Sequence, residues 1–498
     1  MAEYLHGAYG QVNTAGARLT NTAEAGFIVF GTAPVNTIED GARNVNVPIE
    51  VSNMAEAEAK FGYSEDWAKY TLCEAFHVFF EEMNVGPLVV INVLDPDKAG
   101  HKGTAGTASL TPVGGRVTIA SAEDIIMDSV VVKAGSGQSE TTKQKGVDYE
   151  IGYSIRTKSI VIAELTTGAL GTDPLSITYD TVNPAAVTGA DLIGSTDGRG
   201  LNTGLYAVKD VYQKCNVIPG YLLAPGWTQI KTVHDAMAEV SKKINKHWDA
   251  IFFSDIPILD NSTPVTIATA RTWKATNGYN KANEKACYPM TKGTDGKKYH
   301  MSTLYAGNFL GQLIENEGVP YHTASNTICG LIAGLWLGAD YEGRVFDDSI
   351  INEYLCKYGI SSAVYMGGAW RLWGAHSAEY PPETEDSVNV GDTALAMLYY
   401  VSNDFQARRV NDVDQPLSAN DIQSIVAEEQ TRLDALVAIG ALSFAEAYLN
   451  ADKDARSDMY LGNYSFTFRV TTTPLAKSLK AIVNWVADGF ETYFAQEG

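Results

Sequence analysis

The sequence predicts a multidomain protein of mixed α/β and α+β class. An α/β middle domain carries an inserted all-β domain, and an α+β C-terminal domain follows, with extended arms at both termini. Three observations lead there. The 498 residues exceed what one hydrophobic core organises. Alternation of strand-like and helix-like segments stops near residue 96 and resumes near 190, with only strand-like runs between. Both extremities carry apolar residues without a helical period.

Residues 1–20 are small and polar, with Tyr4, Leu5, Tyr9 and Val12 among them, and read as an N-terminal arm. The middle domain spans 21–96 and 190–384. Its first part reads as a βααβ unit. "AGFIVFGTAPV" is a buried strand entering a Gly/Pro turn, and "VSNMAEAEAKFG" is a helix capped by Ser52 or Asn53. "EDWAKYTLCEAFHVFFEEM" is a second helix, and "GPLVVINVL" is a strand buried on both faces. At "DPDKAGHKGTAGTA" the composition shifts to Gly, Lys and Thr. The outer β domain, 97–189, then offers "RVTIA", "DSVVVKA", "DYEIGYS", "SIVIAEL" and "LSITYD" as strands. Back in the middle domain, "LYAVKDVYQKC" and "WTQIKTVHDAMAEVSKKI" read as helices, and "VIPGYLLAPG" and "WDAIFFSDIP" contain strands.

"EYPPETED" is a linker to a C-terminal domain at 385–498. There "TALAMLYYVSN" reads as a strand. "ANDIQSIVAEEQTRLDALVAIGAL" is a long helix with Asn420 as cap, and "NYSFTFRVTTTP" is a strand. Pro474 opens a short helix-like piece bearing Lys477 and Lys480. A terminal arm strand follows at 481–494, its apolar content set by Ile482, Val483, Trp485 and Val486.

The formal net charge of −22 argues against phosphate-backbone partners, and the Lys-rich "SKKINKHW" at 241–248 is too short to reverse that. Five scattered cysteines without a CxxC point to reduced thiols and assembly in a cytoplasm. The start "MAEYLHGAYG" has no basic n-region or apolar core, and "ICGLIAGLWLG" is too short to span a bilayer, so a soluble protein without a secretory signal is expected.

No motif carries catalysis. Gly198, Gly200 and Gly204 in "DGRGLNTG" are spaced GxGxxxG with no clear strand before them, and read as a tight loop with capping glycines. "KGTDGKK" lacks phosphate-loop spacing, and neither HExxH nor GxSxG occurs. His77, on an apolar helix, reads as a satisfied core histidine. Glu81–Glu82, Asp347–Asp348 and Glu428–Glu429 read as solvated faces or caps. Trp370 and Trp373 read as core or interface residues. Catalytic, metal and cofactor-binding residues are expected to be none.

Several stretches, in order along nearly the whole chain, resemble the contractile tail sheath protein family of bacteriophage tails and related contractile injection systems. They are "EAGFIVFGTAPVN", "VPIEVSNMAEAEAKFG", "LCEAFHVFFEEMNVGPLVVINVL", "GVDYEIGYS", "YDTVNPAAVTGADLIG", "GLYAVKDVYQKCNVIPGYLLAPGW", "ALVAIGALSFAEAYLN" and "YSFTFRVTTTPLAKSLKAIV". "GAHSAEYPPETEDSVNV" is the least family-like stretch. The resemblance implies a homo-oligomer of stacked hexameric rings around an inner tail tube protein, with baseplate and tail-terminator proteins as further partners. It implies no enzyme, no direct contact with nucleic acid and no membrane insertion. The location implied is a virion tail, or an extracellular contractile particle, assembled in the bacterial host cytoplasm. The outer β domain would face solvent and the C-terminal domain the tube, while both arms give strands to neighbours' sheets. By the same resemblance, Lys477 and Lys480 would grip an acidic tube surface. An α/β enzyme with a β appendage and a static surface or capsid-type protein remain the alternatives.

Overall fold

The structure, a computed structural model, describes residues 24–135, 140–338, 346–381 and 391–487, the side chain of Lys453 excepted. An eight-stranded sheet forms its centre. In spatial order its strands are Ile49–Val51, Leu88–Asn92, Ala25–Gly31, Ile218–Leu223, Ile251–Asp255, Glu284–Cys287, Ile360–Met366 and Ala369–Trp373. The six inner strands run parallel and the two outermost antiparallel. Ile28, Val29, Phe30, Val90, Leu222 and Phe252 are fully buried, as expected of parallel strands covered on both faces.

Helices cover the two faces because their apolar residues recur every three or four positions. Lys231–Val240 buries Val233, Met237 and Val240, and Met301–Glu315 buries Leu304, Phe309 and Leu313. Asn53 caps Met54–Phe61, its side chain accepting the Glu56 N–H at 3.0 Å. The helix expected over Glu65–Met83 is shorter than its pattern suggests. An α-helix covers Leu72–Phe76 and widens into a π-helix at His77–Glu82.

Between Asn92 and Gly189 two small antiparallel sheets enclose a separate core of Val117, Val132, Ile160, Ile162, Leu175 and Ile177. All five strands read there from sequence are present. Gly106–Leu110 and Thr141–Thr142 were not anticipated, because Gly, Ser and Thr mask their alternation. This unit is tied to the central body by Asn36, whose amide donates to the carbonyls of Glu123 and Ile125 at 2.8 and 2.9 Å, and by Ser64 Oγ to Glu123 at 2.5 Å.

Beyond residue 391 the expectation of a strand at "TALAMLYYVSN" is overturned: Asp392–Arg409 is an α-helix. The β-branched and aromatic run Tyr399–Val401 suggested a strand. The buried residues Thr393, Ala396, Met397, Val401 and Ala407 instead recur at helical spacing. Ala419–Ala438 is helical as expected, capped by Ser418 rather than Asn420, with Asp421 completing a capping box. An antiparallel pair, Leu442–Leu449 with Phe466–Thr472, lies on these two helices around Met397, Val401, Leu433 and Leu436.

The short helix expected after Pro474 is absent, and Thr473–Val486 carries no secondary structure. Exposed along nearly its whole length, this segment buries no stripe that would hold a helix. Residues 481–487 pair with no strand among the described residues. The arm residues Tyr4, Leu5, Tyr9 and Val12, the rest of the 481–494 arm, and most of the expected linker before 385 lie outside the described residues.

Candidate functional site

In an open parallel sheet, ligands occupy the crevice at the carboxyl ends of the strands where strand order reverses. Here that point lies between Ala25–Gly31 and Ile218–Leu223. It is filled with side chains. Thr71 Oγ1 accepts the Thr32 N–H at 3.2 Å and the Trp227 indole N–H at 2.9 Å. A Cβ at Gly31 would fall 2.3 Å from Thr71 Oγ1.

Below it sits a buried polar cluster. His300 Nδ1 lies 2.6 Å from Glu74 Oε2, and Ser302 hydrogen-bonds Asp255 through both its backbone N–H and its hydroxyl. Burial alone would lower the His300 pKa, but the Glu74 carboxylate holds it up at about 9. Asp, His and Ser therefore do meet in space, yet each is bonded into the protein interior. Among the described residues, no group of His, Cys, Asp and Glu is disposed to hold a metal.

The glycine loop is satisfied by its own side chains. Asp197 accepts the N–H groups of Arg199 and Leu201 at 2.8 Å each, occupying the position an anion would take. Gly204, at φ +57°, passes so near Leu192 that a Cβ would meet its carbonyl oxygen at 2.3 Å. His77 hydrogen-bonds Glu81 at 2.5 Å, stacks on Tyr299 and lies tilted against Trp67. Trp370 is buried, and the Trp373 indole donates to Asn352 at 2.8 Å.

The reading of Glu429 as a solvated acid is corrected. It is buried between helices Asp392–Arg409 and Ala419–Ala438, with Arg408 bidentate on it at 2.7 and 2.7 Å and Arg409 Nη2 at 2.6 Å. Neither helix announces this pairing in its own sequence, because it depends on how the two cross. Burial would raise the Glu429 pKa, but the two guanidiniums hold it below the ordinary carboxylate range. A second buried pair, Lys285 to Asp392 at 2.6 Å, ties the first turn of helix Asp392–Arg409 to the central strand Glu284–Cys287.

The unusual surface lies at the C-terminal end. Leu479, Ile482, Val483, Trp485 and Val486 are 63–91% exposed. Near the root of this tail, Leu475 is half-buried against Gly391, and the Lys477 ammonium stands 5.5 Å from the centre of the Tyr380 ring. Lys480 is exposed.

The strand pair beside the tail has two long edges. Asn450 N–H donates to the Ser465 carbonyl at 2.8 Å, so residues of that parity bond across the pair, and those of the other parity point outward. The outward groups are Ala445, Ala447 and Leu449 on one edge, and Phe466, Phe468 and Val470 on the other. No further strand of the described residues pairs with either edge.

No known protein-family model matches the sequence. The tail sheath protein of Burkholderia phage BcepMu is 26% identical over 491 residues, covering 95% of each chain. Three solved structures share the fold at low identity. The contracted helical sheath of the anti-feeding prophage superposes with TM-score 0.54 at 12% identity, over 98% of this chain and 100% of that one. The contracted PVC sheath of an extracellular contractile injection system gives 0.52 at 11%, over 98% and 99%. The sheath tail protein of Desulfitobacterium hafniense gives 0.53 at 10%, over 90% and 94%. These likenesses are to structural sheath proteins, not to enzymes.

Proposed function

We infer, for a chain that belongs with the contractile tail sheath proteins by full-length likeness of sequence and fold, a subunit of a sheath built as stacked hexameric rings around an inner tube. On this reading the extended lattice is metastable. Its shortening drives the tube through a bacterial envelope without nucleotide hydrolysis. Baseplate and tail-terminator proteins bound the stack. The particle is a virion tail or an extracellular contractile machine, assembled in the host cytoplasm.

The observation that carries this reading is the exposed apolar tail at 479–486, together with a two-stranded sheet whose edges pair with no further strand among the described residues. Left free, such a segment is an aggregation hazard; added to a neighbour's sheet, it completes both partners. About five backbone hydrogen bonds at roughly 1 kcal/mol net each, with burial of Ile482, Val483, Trp485 and Val486, give a gross contribution on the order of 10 kcal/mol per subunit before ordering costs. Such head-to-tail contacts propagate into a helical tube. Both arms serve as strand donors, Tyr4, Leu5, Tyr9 and Val12 marking the N-terminal one. Lys477 and Lys480 form a weak, salt-sensitive contact with an acidic tube.

Coexpression of the chain with the tube protein encoded alongside it, followed by negative-stain microscopy, tests the reading. Tubes of two lengths and two diameters are expected. A single rigid lattice would indicate a static structural protein instead.

A further inference from the structure

The amino ends of the parallel strands border an opening in the central body. It lies at the opposite end of the sheet from the filled crevice, between the starts of Ala25–Gly31 and Leu88–Asn92 and the last turn of helix Met301–Glu315. Its volume is about 320 Å³, and Leu88, Val217, Leu310 and Ile314 are among its walls. Leu88 and Leu310 are buried, but Ile314 keeps 52% of its surface in solvent. Such a wall has contact area to gain from one more apolar side chain. Two acids, Glu24 and Glu50, also line the opening, and neither forms an ion pair with another described residue. The nearest lysines are committed elsewhere: Lys60 to Glu56 at 3.7 Å and to the Glu50 backbone carbonyl at 2.8 Å, Lys214 to Asp210 at 3.6 Å.

The chain enters the body at this opening. Glu24 is the first described residue, and its carbonyl accepts the Ile218 N–H at 2.9 Å, so the preceding residues start from the rim. Between Val12 and Phe27 the sequence holds one large apolar residue, Leu19. It stands five residues before Glu24, within about 17 Å of extended chain. Beside it, Arg18 is the one Lys or Arg of residues 1–23. A leucine for the aliphatic walls and an arginine for the two carboxylates are thus held nearby on a short tether, at high effective concentration.

We propose that Leu19 of the same chain fills this opening, with Arg18 facing Glu24 and Glu50, and so fixes the root of the N-terminal arm to its own body. Tyr4, Leu5, Tyr9 and Val12 lie beyond the anchor and stay free for other contacts, so the anchoring goes beyond the sheath reading and does not depend on it. It shortens the free arm from residues 1–23 to residues 1–17, which lowers the entropy lost when that arm is ordered against a partner.

Trypsin reads the anchor directly, because within residues 1–23 it cleaves only after Arg18. In dilute full-length protein, L19S should release residues 1–18 about tenfold faster than the parent, with L19M close to the parent rate, scored by mass spectrometry with the fold checked by circular dichroism. A second measurement uses Cys215, which lines the opening and is the one cysteine of the five that is not buried. On oxidation of dilute protein, L19C should link to Cys215 within one copy about fivefold faster than R18C or T20C, which share the tether but face the other way in an extended segment. C215S should abolish the link. Equal release from the parent and L19S, or equal linking by the three introduced thiols, would make the root a free tether and overturn the proposal. Protection of Arg18, or linking to Cys215, that appears only at concentrations where copies associate would assign the opening to a second copy and overturn it as well. Tube formation is scored separately by microscopy, and its failure would count against the sheath reading alone.

Discussion

Single residues hold the C-terminal unit together through buried charge. Glu429 bridges Arg408 and Arg409 where helices Asp392–Arg409 and Ala419–Ala438 meet, and Glu429→Ala removes the carboxylate they share, leaving Arg408 with Asp404 and Arg409 with Asp412 and Glu428. A loss of about 1–3 kcal/mol in urea unfolding is expected, because the arginines keep their other carboxylates, with Glu429→Gln milder because its amide retains part of the bonding. Glu429 and two histidines, His376 and His300, shape the pH profile. Glu429 has a lowered folded-state pKa, so its contribution is present above its unfolded pKa and fades as pH falls through the folded value. Burial, with Lys477 and Lys285 nearby, lowers His376 to about 4, so protonation of the unfolded chain between about 6.5 and 4 also erodes stability on the acid side. His300 acts in the opposite sense. Its folded pKa of about 9 supplies stability that is complete below its unfolded pKa and is lost as pH rises through 9. The urea midpoint should therefore fall on both flanks, and His300→Gln should flatten the alkaline one. An alkaline flank unchanged by that substitution would remove His300 from the account.

At the scale of elements, the inner strands of the central sheet were readable because strands buried on both faces are continuous runs such as "LVVIN" and "IFFSD". Two elements of the candidate site were not readable. Helix Asp392–Arg409 was hidden by Tyr399, Tyr400 and Val401, residues with strand preference that tertiary packing overrides. Strand Leu442–Leu449 was hidden by Ala445, Glu446 and Ala447, which look like a continuing helix. Its register, and the bonds of the Gln430 side chain to the Ala445 carbonyl and the Ala447 N–H, arise only when the strand pair lies on both helices, so no local pattern encodes them. The tail was visible as apolar sequence, but its helix-like opening was not realised because nothing in the single chain supports it. Removal of residues 479–498 takes away only exposed side chains over the part described. The truncated chain should keep its thermal midpoint within about 2 °C while failing to form tubes. A truncated chain that still polymerises would place the main inter-copy contact elsewhere.

For the molecule as a whole, charge sets two opposing demands on assembly. Each copy carries a formal −22, so copies brought together in an assembly repel one another, and salt should favour their association. The tube contact proposed for Lys477 and Lys480 against an acidic surface would be weakened by the same salt. Lys477 is already partly held by Tyr380 at the root of the tail, which keeps it near the body, while Lys480 is exposed. A rising salt series should therefore shift the product from tube-filled sheaths to empty polymers, scored by electron microscopy. K477E/K480E should shift the balance further, giving empty polymers even at low salt, because it removes the attraction to the tube while leaving the strand edges untouched. Tube-filled sheaths of normal abundance from K477E/K480E at low salt would show that these lysines do not grip the tube. Loss of both products would instead assign Lys477 and Lys480 to contacts between sheath copies.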